Sequence, residues 1–143
     1  MYASSGGTAF GGPPVGAVVS LSAFAHPEEV MRRFLAAHRI PYPVVGAAVL
    51  RHVQAVIGTR FDPIAPLHTI RAVRCPVLLV HGRGDATVPF DDALRLARAA
   101  PAARLLAVEG GHDLREALAP HAADIVAFLT AATKRPTESA PPA

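Results

Sequence analysis

The fold is decided by residues 75–89, which read C-P-V-L-L-V-H-G-R-G-D-A-T-V-P. The apolar run at 77–80 has no polar alternation, which is typical of a strand covered on both faces in a parallel sheet. Gly82 and Gly84 then allow a bend, and Asp85 follows just past the carboxyl end of the strand. Because open α/β sheets carry their chemistry at that edge, Asp85 is the first candidate functional residue.

The remaining chain alternates strands with helices around this stretch. Further buried strands are predicted at 16–21 and 103–108, and the helical segments are predicted at 27–37, 44–57, 91–99 and 120–132. Asp91 and Asp92 are expected as the cap and first-turn acids of the third helix, and the proline-rich segment 61–66 as a connector. The order β-α-α-β-α-β-α predicts an α/β fold, a three-layer αβα sandwich with a mostly parallel sheet and right-handed crossovers.

The domain organisation follows from the composition along the chain. Residues 1–15 are rich in Gly, Ser and Pro and are expected to be irregular, whereas 16–132 form one α/β unit. Within that unit, about 26–60 is a helical, cap-like insertion between two strands. Residues 133–143, rich in Pro, Thr and Ser, are expected to form a disordered tail.

Composition and charge exclude several classes of protein. The chain is 51% hydrophobic, yet no apolar run approaches the roughly 18 residues of a membrane span. No secretory signal is visible, and a single cysteine, Cys75, fits a reducing compartment, so the sequence predicts a cytoplasmic protein without a membrane partner. The net charge is +3, but the arginines are scattered and tryptophan is absent, which argues against nucleic-acid binding.

The motifs of metal and cofactor binding are also missing from the sequence. No H-x-x-x-H or Cys/His cluster occurs, so no metal site is expected. The paired glycines at 6–7 and 11–12 form neither G-x-G-x-x-G nor a phosphate-binding loop, so no nucleotide cofactor is expected either.

Asp85 and His112 occupy equivalent positions in the predicted fold. Each follows a buried strand, and one helix separates those strands, so both side chains are expected at the same edge of the sheet. A carboxylate there can fix the tautomer of the imidazole and stabilise the imidazolium formed during proton transfer. Taken singly, such an aspartate is more often a turn residue and such a histidine a solvated one; their common register favours an acid–base pair.

These motifs resemble those of the α/β-hydrolase family. Residues 76–89 contain G-x-x-D-x-x-V-P and look like the strand that carries the triad acid, and A-R-L-L-A-V-E-G-G-H-D at 103–113 looks like the following strand and its histidine loop. Residues 64–76 resemble the approach to the acid strand in hydrolases of the esterase, lysophospholipase and aminopeptidase-like kind. The resemblance implies a partial α/β-hydrolase fold with Asp85 as the triad acid and His112 as the base.

The nucleophile is the weakest part of this resemblance. Y-A-S-S-G-G at 2–7 is similar to the G-x-S-x-G elbow, which makes Ser4 the nucleophile and the backbone N–H of Ser5 an oxyanion donor. Tyr2 stands where the family has its first glycine, and we expect no strand before Ser4. The N-terminal half of the family fold has no counterpart, so we expect the chain to be the C-terminal half of a hydrolase.

Three functional hypotheses remain at this point. The first is a serine hydrolase that cleaves a small-molecule ester or amide through Ser4, His112 and Asp85. The second is a truncated or split hydrolase half, inactive alone, that acts with a partner chain or as a non-catalytic module and self-associates through exposed sheet edges. The third, a receiver- or flavodoxin-like binding module, lacks the clustered acids or phosphate loop that it would need.

Overall fold

Three parallel strands form the sheet in the part of the chain that the structure describes. The structure, a computed structural model, describes residues 15–133. The strands are β1 (Val18–Leu21), β2 (Val77–Gly82) and β3 (Arg104–Val108), and they lie in the order β1-β2-β3. In this register Leu21 pairs with Val80, and Gly82 pairs with Val108. All three carboxyl ends therefore meet at one edge of the sheet.

Seven α-helices connect and flank the strands in the described part of the chain. They are α1 (Pro27–Ala37), α2 (Ala47–Ile57), α3 (Phe61–Ile64), α4 (Pro66–Thr69), α5 (Phe90–Ala99), α6 (Arg115–Leu118) and α7 (Ala122–Thr133). A π-helical turn at Tyr42–Gly46 leads into α2, and 3-10 turns at Ile70–Ala72 and Ala119–His121 follow α4 and α6. None of the helices in the described range is long and apolar enough to cross a membrane.

The sheet is covered on both faces, which confirms the predicted three-layer αβα sandwich. Alternate residues of β2 point to opposite sides: Leu78 and Val80 pack with Phe128 of α7, whereas Val77 and Leu79 pack with Leu96 of α5. Every residue of β2 is buried. The strand has no polar alternation because neither of its faces meets water, as the sequence predicted.

The structure differs from the sequence prediction in the segments that contain proline. The connector predicted at 61–66 contains α3 and the first residue of α4. Pro66 is tolerated there because it occupies the first turn of α4, where a missing backbone N–H costs nothing. The last helical region begins at Arg115 rather than Pro120, with α6 and a 3-10 turn before α7.

The start of α5 also differs from the prediction. Pro89 occupies the cap position, so Asp91 and Asp92 are both first-turn residues and neither is the cap. The buried carboxylate of Asp92 instead accepts a hydrogen bond from the backbone N–H of Ala25, at 3.2 Å. A buried carboxylate needs such partners, and Ala25 lies in the loop that follows β1.

Two ion pairs join α1 to α5 next to this contact. Arg33 of α1 donates to Asp92 from Nη2 at 2.9 Å. Arg95 of α5 holds Glu29 of α1 with two parallel hydrogen bonds, of 2.6 and 2.8 Å. Bidentate arginine–carboxylate pairs fix orientation as well as distance. The first helix after β1 is thereby fixed against the helix that follows the acid-bearing strand.

The division of the chain into an irregular segment, an α/β unit and a tail remains a prediction. Helices α1 and α2 lie within the interval 26–60 that the sequence assigned to a cap-like insertion. The irregular segment predicted at 1–15 falls almost wholly outside the described residues, and so does the tail predicted at 133–143.

Candidate active site

Asp85 lies in a tight turn directly after β2, with its side chain fully shielded from solvent. Its Oδ1 accepts hydrogen bonds from the backbone N–H groups of Thr87, at 2.9 Å, and Val88, at 2.8 Å. This is the local hydrogen bonding that aspartate favours in turns, where the side chain satisfies amides two and three residues further on. One carboxylate oxygen is thus used by the turn, and Oδ2 remains for a partner from another segment.

That partner is His112, whose Nδ1 lies 2.8 Å from Asp85 Oδ2. An ionised carboxylate can only accept, so Nδ1 carries the hydrogen and donates it to Asp85. The ring nitrogen that can accept a proton is then Nε2. The side chain of His112 is 48% exposed, whereas that of Asp85 is 0% exposed. A buried acid therefore supports a histidine that reaches solvent.

The same contacts decide the charge of Asp85. Burial alone would raise the pKa of this carboxyl, but hydrogen bonds from the Val88 amide, from His112 and from the Thr87 amide outweigh burial and lower the pKa below its usual value. Asp85 is therefore a carboxylate at neutral pH. A negative charge beside Nδ1 favours an imidazolium at His112 whenever Nε2 takes up a proton.

The turn after β2 and the histidine loop after β3 touch through their backbones. Gly84 N–H donates to the carbonyl of Gly110 at 2.9 Å, and Arg83 N–H donates to that of Val108 at 2.9 Å. A Cβ placed on Gly82 would lie 2.4 Å from the Gly111 carbonyl oxygen, which no real side chain tolerates. Gly82 therefore permits the close approach of the two loops. In the histidine loop, Gly110 has a positive φ of 147°.

Two residues that the sequence interpretation left out also lie at this site. His81, the fifth residue of β2, is 1% exposed, and its Nε2 lies 2.8 Å from the Val88 carbonyl oxygen. Ser22, directly after β1, has a φ of 45°, a conformation that non-glycine residues rarely adopt, and its Oγ donates to the His112 carbonyl at 3.4 Å. The position of His81 at the end of the predicted buried strand could have indicated a buried histidine. Nothing in the sequence around Ser22 indicated its contact.

A cavity of about 530 Å³ opens beside His112. Its walls come from the loop after β1, from α1, from the turn after β2 and from the segment 112–118. The lining is mostly apolar and includes Leu21, Phe24, Val30, Val88, Leu114 and Leu118. The charged side chains on its rim, Asp113 and Arg115, form an ion pair with each other. The space next to the histidine thus suits an uncharged apolar group.

The other site residues predicted from the sequence are not placed by the structure. Ser4, the predicted nucleophile, and Ser5, the predicted oxyanion donor, lie outside the described residues. Within residues 15–133, no group of three or more His, Cys, Asp or Glu side chains could hold a metal ion.

Comparisons with known proteins place the chain among hydrolases. A family model described as TAP-like protein matches residues 42–139, which include the turn of Asp85 and the loop of His112. The chain belongs to this family of α/β-hydrolases. The resemblance read from the sequence is thereby confirmed at the level of the family. No curated protein sequence matches the chain.

Three solved structures that match are also α/β-hydrolases. A puromycin-hydrolysing peptidase of Mycobacterium tuberculosis superposes with a TM-score of 0.59 and 21% identity, over 89% of this chain and 20% of the peptidase. An esterase of Pyrococcus furiosus gives a TM-score of 0.56 and 15% identity, over 82% of this chain and 45% of the esterase. A protein described as a non-heme bromoperoxidase, also from M. tuberculosis, gives 0.53 and 18%, over 82% of this chain and 59% of that one.

At these sequence identities, the superpositions show that the chain shares the fold of the three proteins. The chain spans less than two thirds of the length of each of them. The described residues therefore correspond to part of an α/β-hydrolase fold.

Proposed function

We propose that this chain carries the acid and the base of a serine hydrolase that cleaves a carboxylic ester or amide in a small-molecule substrate. Asp85 orients His112, His112 is the general base, and Ser4 is the nucleophile. The main support is the 2.8 Å contact between Asp85 Oδ2 and His112 Nδ1, at the ends of two neighbouring parallel strands. The family match and the neighbours, a peptidase and an esterase, support the same reaction class.

The proposed chemistry uses His112 twice. With its hydrogen on Nδ1 held by Asp85, the ring accepts the Ser4 hydroxyl proton at Nε2 while the Ser4 oxygen attacks the substrate carbonyl. The same proton then passes from Nε2 to the leaving alcohol or amine as the acyl–enzyme forms. Water repeats the attack with His112 again as base, and the acid product leaves with Ser4 restored.

The negative oxygen of the tetrahedral intermediate needs donors as well. In this proposal the backbone N–H of Ser5 supplies one of them, by the likeness of residues 2–7 to the nucleophile elbow. One such donor typically changes the rate by about 100- to 1,000-fold. The reaction thus requires the Asp85–His112 pair, the nucleophile and the oxyanion donors together.

The cavity beside His112 supports an apolar substrate group. Phe24 and Leu118 are among the apolar side chains that line it, and Arg115 on its rim is already paired with Asp113. A charged substrate group would lose water there without gaining a free counter-charge. We therefore propose that the acyl or leaving group next to the scissile bond is uncharged and apolar.

Labelling with a fluorophosphonate probe tests this proposal. The folded chain is treated with the probe beside Ser4→Ala, His112→Ala and Ser22→Ala variants, and the labelled peptide is mapped by mass spectrometry. We expect labelling of the wild type that is lost in S4A and H112A and kept in S22A, because Ser22 lines the same cavity without the proposed role. Unlabelled wild-type protein with a native circular-dichroism spectrum contradicts a self-sufficient triad.

A second candidate is a hydrolase half that acts only with another chain, or as a non-catalytic α/β module. The observation that favours it is that the chain spans 20% of the peptidase and 45% of the esterase. Leu21, the last residue of β1 at the edge of the described sheet, has 51% of its surface exposed and could support self-association. In that case the isolated chain remains unlabelled, and light scattering reports an assembly larger than a monomer.

A further inference from the structure

His81 is a buried histidine for which the proposed reaction has no use. It lies on β2 with 1% of its surface exposed, four residues before Asp85. Its Nε2 is 2.8 Å from the carbonyl oxygen of Val88 and 3.4 Å from Oδ2 of Asp85. One ring nitrogen therefore contacts both the end of the turn that holds Asp85 and the carboxylate itself.

The chemistry of these partners fixes the protonation of His81. A carbonyl oxygen and an ionised carboxylate can only accept, so Nε2 of His81 carries a hydrogen and donates it. The donated hydrogen closes the turn from the opposite side: the amides of Thr87 and Val88 bind Asp85 Oδ1, and the Val88 carbonyl binds His81. Val88 is thus held at both its N–H and its C=O, the first by Asp85 and the second by His81.

We propose that His81 is a positioning residue that acts through Asp85. Its Nε2–H anchors the turn 85–88 to β2 and borders Oδ2, so that the carboxylate presents this oxygen to His112 in one fixed orientation. The inference rests on the proposed role of the Asp85–His112 pair. His81 itself touches no reacting atom in this proposal.

Packing alone does not account for a histidine here. The four residues before it in β2 are aliphatic, and the only ring contact of His81 among the described residues is an edge-on one with Phe90, at 6.0 Å between centroids. An aliphatic or aromatic side chain could fill this space but would leave the buried Val88 carbonyl without its donor. Such a loss typically costs about 1–3 kcal/mol and frees the turn to rearrange.

The first test uses the unaltered protein. Nitrogen-15 chemical shifts of the histidine rings report which nitrogen carries hydrogen. We expect a hydrogen on Nε2 of His81. A bare Nε2, with the ring hydrogen on Nδ1 alone, would overturn the proposal, because such a nitrogen cannot donate to the Val88 carbonyl.

The second test compares two side chains of equal length. His81→Gln keeps an N–H donor near the position of Nε2, whereas His81→Met fills a similar space without one. The readouts are the carbon-13 titration of the Asp85 carboxyl and the proton resonance of His112 Nδ1–H. Leu79→Ala serves as the control, since it removes buried volume from the same face of the same strand, where Leu79 packs with Leu96, without removing a hydrogen-bond donor.

The expected results separate positioning from packing. In H81M the pKa of Asp85 rises toward its ordinary value and the Nδ1–H resonance shifts or broadens; H81Q restores both, and L79A lowers stability while leaving both unchanged. If H81M matches the wild type in both readouts, or if L79A moves them as much as H81M does, His81 is structural only. Where H81M fails to fold, the ring tautomer and H81Q decide. None of these measurements depends on turnover, so failure of the proposed hydrolysis and failure of this inference are distinguished.

Discussion

Asp85 combines two properties that oppose each other in most environments, full burial of the side chain and a retained negative charge. Three N–H groups resolve the conflict: two backbone amides of its own turn and Nδ1 of His112. The hydrogen bonds favour the charged form more strongly than burial disfavours it, and the pKa is lowered. At the scale of one residue, the turn sequence D-A-T-V itself provides two of the three donors that keep Asp85 charged.

This lowered pKa predicts an acid-dependent loss of stability. A carboxyl whose folded-state pKa lies below its unfolded value, about 3.9, stabilises the fold fully above that value. The contribution disappears as pH falls through the folded-state pKa. We expect the free energy of unfolding in urea to fall as the pH is lowered below about 4, and Asp85→Asn to lower it at pH 7 and to flatten the acid slope.

Glu116→Gln, which neutralises an exposed carboxylate, is the matched control and is expected to leave the slope nearly unchanged. An Asp85→Asn variant with the same acid dependence as the wild type would contradict the assignment of this loss to Asp85.

Asp85 and His112 could be identified from the sequence because both segments show the same pattern. In each, a buried strand is followed by glycines and then by a polar residue. Both side chains were expected at one edge, and there they form a hydrogen bond. His81 and Ser22 were missed for a physical reason. The partner of His81 is the carbonyl of a residue seven positions later, which becomes its neighbour only when the turn closes. The contact of Ser22 spans 90 residues.

At the scale of elements, the site depends on how closely two loops approach. The turn after β2 and the loop after β3 share backbone hydrogen bonds, and Gly82 leaves the space for them. The sequence indicated glycines that allow bends; the structure shows that Gly82 is required for contact between chain segments. Parallel strands in register bring these loops together, so β2 and β3 position Asp85 and His112 as one unit.

Gly82→Ala is therefore expected to displace the histidine loop. The new methyl group would meet two backbone carbonyl oxygens, of Gly110 and Gly111, at 2.6 and 2.4 Å, and backbone atoms cannot move aside as a flexible side chain can. We expect a loss of about 1–3 kcal/mol in the free energy of unfolding and altered resonances of His112. Gly111→Ala is the control, since a Cβ there meets no atom within 4 Å. Equal stability of the two variants would contradict this role of Gly82.

The strands were predicted closely, whereas two helical regions were not. An uninterrupted apolar run such as 77–80 admits few structures besides a buried strand, and all three strands lie within two residues of their predicted ends. Segment 61–66 was interpreted as a connector because it contains prolines, and the last helix was predicted to begin at Pro120, whereas the helical region begins at Arg115. A short helix accepts proline in its first turn, as α4 does with Pro66. The proline at this position therefore marks the start of a helix.

At the scale of the molecule, the sheet and its neighbours form one wall of the proposed active site. Asp92 and its arginine partners fix α1 beside α5, and this brings Val30 to the cavity that His112 lines. Of the two helices predicted to cover the site, α1 contributes to that lining, whereas the lining residues include none from α2. Asp85, His112 and an apolar wall beside them are thus held by contacts within residues 15–133.

The central claim is that Asp85 and His112 act as one catalytic unit, and the rate of hydrolysis of p-nitrophenyl butyrate tests it most directly. The wild type is compared with Asp85→Asn and His112→Ala, with Glu116→Gln as a surface control. We expect losses of about 10³- to 10⁴-fold in kcat for each site variant, with little change in KM, and wild-type rates for E116Q. Folded D85N and H112A proteins that hydrolyse the ester as fast as the wild type would contradict the account.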